Sequence, residues 1–241
     1  MELNQNFLTS LETHFGNKKG YPYDIPSLAN LKELSFEAPV TFFVGENGSG
    51  KSTLLEAIGV GMSLNAEGGS KNFNFSTQES HSALSADIKF IKGYRNPKDS
   101  FFLRAESFYN VASEIDRLAG GIHKHYGNRS LHSRSHGESF LALMENRFRG
   151  NGFYLLDEIE SALSPARQLD ALAQIDRLVK QRSQFIIATH SPILLAYPNA
   201  HILEFSHQGI QKTPYEETET YRVTKDFLAN YKHIQHVLFD Q

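Results

Sequence analysis

The residues between positions 45 and 53 form the most informative chemical pattern of the sequence. Gly45–Ser52 matches the phosphate-binding pattern G-x-x-x-x-G-K-[ST] at each fixed position. Glycines let backbone N–H groups approach a phosphate closely, and the start of a following helix adds partial positive charge. The pattern predicts a phosphate site, with a glycine-rich turn that binds nothing as the alternative. The residues predicted to hold ATP are Gly45, Glu46, Asn47, Gly48, Ser49, Gly50, Lys51, Ser52 and Thr53.

A pair of acids, Asp157 and Glu158, follows four apolar residues that predict a buried strand. If that strand lies beside the strand preceding the phosphate loop, Asp157 joins Ser52 in binding Mg²⁺, while Lys51 reaches the β- and γ-phosphates. Glu158 is then placed to polarise the attacking water. The alternative is a strand that simply ends in two hydrated acids.

Hydrophobic patterns predict the elements that position these residues. Runs of β-branched and aromatic residues predict strands at 40–44, 153–156, 184–189 and 201–205. Helical spacing predicts helices at 52–58, 138–149 and 165–181, the last with Ser164 as N-cap and Pro165 at its first position. Strands that alternate with helices indicate an α/β fold whose core sheet is mostly parallel and flanked by helices.

Composition limits the classes of protein that the chain can represent. Its 241 residues suit one domain, which we expect to span 1–241 with an inserted lobe at 65–136. The absence of cysteine excludes disulfides and thiolate metal sites, and a formal charge of -3 gives no indication of a dedicated nucleic-acid binder. We recognise neither a leader peptide nor a membrane-spanning run, so the predicted location is the cytoplasm.

The motifs occur in an order that resembles the ABC-type ATPases. After the phosphate loop, Arg134–Glu138 resembles the family's Leu-Ser-Gly-Gly-Gln signature. Asp157 and Glu158 come next, then Ser161–Ser164, which resembles the Ser-Ala-Leu-Asp of the D-loop, and finally His190, which resembles the switch histidine. The phrase Ser-His-Gly-Glu is similar to that of short, soluble, SMC- and RecF-like ATPases.

The resemblance implies an ABC-type architecture with an N-terminal antiparallel β portion and a small helical or irregular lobe. It also implies a head-to-tail homodimer with two ATP molecules between the chains. Glu158 would act as the catalytic base and His190 would contact the γ-phosphate, while Gln78 is the candidate for a further metal-binding residue. The residues implied to touch the nucleotide held by the partner's loop are Ser135, His136, Gly137 and Glu138.

Several positions depart from the family pattern. In the signature, Arg134 replaces leucine and His136 replaces the first glycine. Ile159 stands where proline is common, and Ser164 replaces the aspartate of the D-loop. The replacement of this aspartate weakens the expectation that the two nucleotide sites of a dimer communicate.

Three assignments stay open at this level. Tyr21 or Tyr23 could stack on the adenine. Arg104 could face phosphate or pair with Glu106 or another neighbour. A histidine-rich stretch could bind zinc or nickel, or form a polar loop; its members are His123, His125, His132 and His136.

Three functions agree with the sequence. The first is an ATPase whose ATP-dependent homodimer switches a protein partner, in DNA maintenance or in defence. Nucleic acid is permitted as a partner but is not indicated by the net charge. The sequence between Ser52 and Arg134 shows no coiled-coil pattern of the kind that could tether DNA. The second is the ATPase subunit of a membrane transporter, and the third is a binding module that does not hydrolyse ATP.

Overall fold

The computed structural model describes residues 5–65, 69, 83–105 and 136–239, with only the backbone of His136. Two sheets and six α-helices make up these ranges. None of the helices in the described ranges combines the length and apolar character that crossing a membrane requires.

The larger sheet has six strands in the order β5-β6-β7-β3-β8-β9. Its pairings are parallel except that of β8 with β9. The bounds are β3 Val40–Gly45, β5 Asp99–Arg104, β6 Gly152–Asp157, β7 Gln184–Ala188, β8 His201–Ser206 and β9 Gly209–Lys212. The mostly parallel α/β sheet predicted from the sequence is therefore confirmed.

The smaller sheet is antiparallel and has the order β2-β1-β4, with β1 Leu8–Thr13, β2 Glu33–Ser35 and β4 Ile88–Lys92. It supplies the predicted N-terminal antiparallel portion. The described part of the stretch assigned to an inserted lobe, 83–105, contributes β4 and β5 to the two sheets. The lobe itself stays a prediction, because most of 65–136 lies outside the described residues.

Helices cover both faces of the parallel sheet. Their bounds are α1 Pro26–Ala29, α2 Lys51–Gly61, α3 His136–Arg147, α4 Pro165–Lys180, α5 Pro192–Leu195 and α6 Glu219–Phe239. One hydrophobic cluster includes residues of α3 and α4, and a second cluster includes residues of α2 and the antiparallel sheet. As predicted, Ser164 caps α4, since its hydroxyl accepts the Arg167 N–H at 3.4 Å.

The helix α6 differs from the others because it has no buried residue. It carries most of the large apolar side chains that are exposed in the described ranges; those on α6 are Val223, Phe227, Leu228, Tyr231, Val237, Leu238 and Phe239. An exposed apolar surface of this extent is typical of a contact with another molecule.

The two sheets are joined by the buried amide of Gln184, at the start of β7. Its Oε1 accepts the N–H groups of Phe7 at 2.8 Å and Leu8 at 3.0 Å, and its Nε2 donates to the Leu8 carbonyl at 2.9 Å. These three bonds satisfy backbone groups at the beginning of β1 that would otherwise be buried without a partner.

We predict that Gln184→Ala lowers the free energy of unfolding by about 3 kcal/mol, because it leaves buried backbone groups unpaired. Urea unfolding followed by circular dichroism measures the change. Gln208→Ala is the matched control, because Gln208 lies in an exposed turn and should stay within about 0.5 kcal/mol of the parent. Equal midpoints for the two variants would contradict this account of Gln184.

Candidate nucleotide site

The site lies at the carboxyl edge of the parallel sheet, where several strands end together. Ala188, at the end of β7, is paired with Phe43 of β3 on one side and with Asp157 of β6 on the other. Asp157 is in turn paired with Arg104 of β5. This edge is where ligands of open parallel sheets bind.

The phosphate loop runs from the end of β3 into α2 and depends on glycine at two positions. Gly45 has φ 137°, and a Cβ there would lie 2.3 Å from the carbonyl oxygen of Phe205. Gly50 has φ 98°, and its Cβ would lie 2.9 Å from Cγ2 of Ile25. Both sites combine a backbone conformation that favours glycine with a close approach by another segment.

The preceding segment holds the loop from one side. Ser27, on α1, donates its hydroxyl hydrogen to the carbonyl oxygen of Ser49. The Ser49 hydroxyl oxygen is itself buried and has no hydrogen-bond partner among the described residues. An unpaired hydroxyl inside a loop of this sequence suits a phosphate oxygen.

Lys51 is buried, and its ammonium group is held by the loop itself. Its Nζ donates to the carbonyl oxygens of Gly45 at 2.8 Å and Glu46 at 2.9 Å. Burial lowers the pKa of Lys51, while the neighbouring charges of Glu158 and Asp157 oppose that shift. A phosphate oxygen that binds the Lys51 ammonium group would therefore replace carbonyl contacts that this group already makes.

Two of the three residues predicted to bind Mg²⁺ are in contact, although β7 lies between β6 and β3, which were expected to be neighbours. Ser52 Oγ donates to Oδ1 of Asp157 at 3.0 Å, and the carboxylate is almost fully buried. A hydroxyl and a carboxylate, together with phosphate oxygens, fit the oxygen coordination that Mg²⁺ requires. In the described part of the chain, no group of three or more histidine or acidic side chains is arranged to hold a metal ion. Binding of Mg²⁺ at this site would therefore need the phosphate oxygens as well.

Arg104, whose role the sequence left open, contacts two acidic side chains. Its Nε lies 3.4 Å from Oδ2 of Asp157, and its Nη1 lies 3.5 Å from Oε2 of Glu56. Arg104 therefore pairs with acids of β6 and α2, at the oxygen of Asp157 that faces away from Ser52. Glu106, the other partner considered, lies outside the described residues.

Glu158 has an unusual backbone conformation directly after β6. Its φ of 51° and ψ of 43° are left-handed, which is uncommon for a residue with a side chain and is often found at functional sites. The Glu158 N–H donates to the carbonyl of Ala188 at 2.9 Å, and the Glu158 carbonyl accepts the N–H of Ser161 at 3.1 Å. These bonds turn the chain sharply and leave the carboxylate half-exposed.

His190 lies beside Glu158 at the end of the neighbouring strand. Nε2 of His190 is 3.7 Å from Oε1 of Glu158, is itself buried and has no hydrogen-bond partner among the described residues. The backbone N–H of His190 donates to Oε1 of Glu160 at 2.5 Å. The imidazole also lines an open cavity of about 510 Å³ beside the phosphate loop, together with Asn47 and Glu204.

The described residues of the signature lie near the turn that follows Glu158. A Cβ on Gly137 would be 3.0 Å from the carbonyl oxygen of Ala162, so this glycine permits close packing. Glu138 Oε1 is 3.7 Å from Nη2 of Arg167. Contact of these residues with nucleotide stays a prediction that needs a second chain.

The predicted site residues that cannot be placed are Ser135, Gln78 and the side chain of His136, together with His123, His125 and His132 of the histidine-rich stretch. Their assignments lie outside the described residues.

The two tyrosines considered for adenine stacking have different surroundings. Tyr23 donates its hydroxyl hydrogen to Oδ2 of Asp87 at 2.6 Å and packs edge-on against Phe15. Tyr21 is 78% exposed, and its hydroxyl is 3.3 Å from Oγ1 of Thr53. Tyr21 is the better candidate, because its ring is free to receive a base next to the phosphate loop.

Sequence reasoning did not single out Glu160, Glu56 or Gln168. Gln168 is buried on α4 and accepts the hydroxyl hydrogen of Ser191, next to His190. The sequence feature that could have identified Glu160 is its position two residues after Glu158, in the turn that faces the end of the neighbouring strand β7.

Two family models match separate parts of the chain. A model described as "AAA domain" matches residues 24–114, which include the phosphate loop. A model described as "AAA domain, putative AbiEii toxin, Type IV TA system" matches residues 130–196, which include Asp157, Glu158 and His190.

Solved structures with a similar fold include ABC ATPases. CbiO1 from Clostridium perfringens, part of the ABC transporter complex CbiONQ, is 17% identical with a TM-score of 0.51, over 97% of this chain and 99% of its own. A "putative metal-chelate type ABC transporter" in an inward-facing conformation is 17% identical with a TM-score of 0.52, over 91% of this chain and 88% of its own. The SMC head domain from Thermotoga maritima is 18% identical with a TM-score of 0.47, over 86% of this chain and 98% of its own. The first two of these similarities show that the chain shares the fold of ABC ATPases, with a phosphate loop, an acidic strand end and a histidine at one edge of the parallel sheet.

Proposed function

We propose that the chain hydrolyses ATP with Mg²⁺ in a head-to-tail homodimer and that this cycle switches a protein partner. The observation that carries the proposal is the grouping of Ser52 with Asp157 and of Glu158 with His190, 3.0 Å and 3.7 Å apart, at the same sheet edge. The first pair suits metal binding and the second suits activation of water.

Binding of the triphosphate rests on the loop and the start of α2. Backbone N–H groups of the loop and the helix N-terminus attract the phosphate oxygens, and Lys51 adds a full positive charge. Ser52 and Asp157 would hold Mg²⁺, which when bound neutralises charge on the phosphates. Arg104 contacts the other oxygen of the Asp157 carboxylate and so keeps the carboxylate oriented.

Hydrolysis requires a group that orients water and accepts its proton. Glu158 suits this role because its carboxylate is half-exposed at the rim of the site and carries the left-handed backbone that turns it out of the sheet. The neighbouring His190 lines the cavity beside the phosphate loop, as Asn47 does. It is thus positioned to hydrogen-bond a terminal phosphate oxygen.

A second copy of the chain would supply the missing side of the site. The helix α3 begins at His136, and the N-terminus of a helix attracts anions. In its own chain this end packs against the turn Ile159–Ala162, next to the D-loop. In a head-to-tail pair the same end would face the terminal phosphate on the partner chain.

A protein partner is supported by the exposed apolar side of α6. This helix starts at the wall of the cavity beside the loop, where Glu219 and Val223 line it together with His190. A partner on the part of α6 before the kink at Asn230 would therefore be connected directly to the wall of the nucleotide site.

We predict that Lys51→Ala weakens ATP binding about 100-fold, because a charge-assisted contact worth roughly 3 kcal/mol is lost. Equilibrium dialysis or calorimetry with ATP and Mg²⁺ measures the affinity. Lys92→Ala, at an exposed position of β4, is the control and should bind as the parent does. Retained affinity in Lys51→Ala would reject the phosphate site.

We predict that Glu158→Gln lowers kcat at least about 100-fold and leaves ATP affinity unchanged, since the amide cannot accept a proton from water. Because the nucleotide then persists, light scattering with ATP and Mg²⁺ should detect a dimer at tens of micromolar protein.

The control for Glu158→Gln is Glu33→Gln, an exposed position on β2 with no expected effect. A variant that keeps its turnover would remove Glu158 as the catalytic base, whereas a parent protein without turnover would favour the binding module without hydrolysis. A monomer under these conditions would count against the head-to-tail pair.

We predict that Tyr21→Ala weakens ATP binding about fivefold, while Tyr21→Phe, which keeps the ring, binds normally. Tyr94→Ala, a second exposed tyrosine, is the control. Competition with a fluorescent ATP analogue gives the affinities. Equal affinity for Tyr21→Ala and the parent would remove Tyr21 from the adenine site.

A further inference from the structure

We infer that Glu160 is a positioning residue, which holds the backbone of His190 so that the imidazole stays beside Glu158. The inference rests on the proposed hydrolysis for its kinetic consequence, although the contact itself is independent of nucleotide. It concerns a third acid that lies at the site but contacts neither phosphate nor metal in the proposed chemistry.

The first argument is the geometry of the contact. The His190 N–H donates to Oε1 of Glu160 at 2.5 Å, a short bond to a charged acceptor. His190 follows the end of β7, whereas Glu160 lies in the turn Ile159–Ala162 that begins at Glu158. The bond therefore fixes the histidine relative to the same turn that carries the candidate base.

The second argument is the placement of the carboxylate. Its other oxygen, Oε2, is buried and has no hydrogen-bond partner in the part of the chain that the structure describes. Burial of such an oxygen is costly unless positive charge is close. Lys51 carries a positive charge at the same edge and interacts electrostatically with Glu160.

A second connection joins the same two segments. The side chain of Gln168 donates to the Leu163 carbonyl at 3.0 Å and accepts the hydroxyl hydrogen of Ser191. The Ser191 hydroxyl oxygen in turn accepts the N–H of Ile193 at 3.1 Å. Gln168 thus holds Ser191, and Glu160 holds the neighbouring His190, against the same turn after β6.

The test compares Glu160→Gln with Glu160→Ala. Glutamine keeps an oxygen that can accept the His190 N–H, whereas alanine removes it. We expect Glu160→Ala to lower kcat at least about tenfold with KM for ATP within about twofold, and Glu160→Gln to stay within about threefold of the parent. Glu37→Gln and Glu37→Ala, at an exposed carboxylate before β3, are matched controls without effect.

A second measurement reads the contact without hydrolysis. In the free protein the His190 amide proton should resonate far downfield and exchange slowly with solvent. It should move upfield but stay protected in Glu160→Gln, and lose protection in Glu160→Ala. An ordinary, rapidly exchanging amide in the parent would overturn the inference even if Glu160→Ala failed to fold.

The two measurements separate the inference from the proposed function. A parent without ATPase activity would reject the proposed hydrolysis, while the amide signal would still decide whether Glu160 holds His190. Equal losses of kcat in Glu160→Gln and Glu160→Ala would overturn the positioning role, because the charge rather than the accepted hydrogen bond would then matter.

Discussion

The structure depends on the parallel pairing of β7 with both β3 and β6. Because Ala188 is paired with Phe43 and with Asp157, the three strands end at one edge and release their following residues into the same space. The phosphate loop, the acids after β6 and the histidine after β7 meet there although they are far apart in the chain. The buried apolar residues of these strands thus stabilise the site as well as the core.

Several of the charged and polar side chains at this edge contact one another. Lys51 binds two carbonyls of its own loop, Ser52 binds Asp157, and the guanidinium of Arg104 contacts that carboxylate from the other side. At Lys51 and Ser52, a nucleotide with its metal ion would therefore exchange existing contacts for new ones. This lowers the cost of holding a buried ammonium and a buried carboxylate in the free protein.

Strand and helix order predicted the α/β class. The phosphate loop, Asp157, Glu158 and His190 could be singled out as candidates because each lies at or just after the end of a strongly apolar strand. The strand β1 was not predicted individually, since its register shifts between Leu8 and Ser10 and its buried residues, Leu8 and Leu11, do not alternate. The contact of Arg104 with Glu56 was likewise beyond prediction. It depends on which side chain reaches across from α2 to β5, which strand order does not specify.

The left-handed backbone conformation of Glu158 is held by hydrogen bonds and packing of the surrounding chain. A glutamate in this conformation is strained by about 1–3 kcal/mol and persists only where neighbouring contacts oppose its relaxation. The bond to Ala188 fixes the start of the turn, and the turn extends directly into the segment that packs against Gly137 of α3. A displacement of α3 by a second chain would therefore act first on this strained turn, and through it on the spacing of Glu158 and His190.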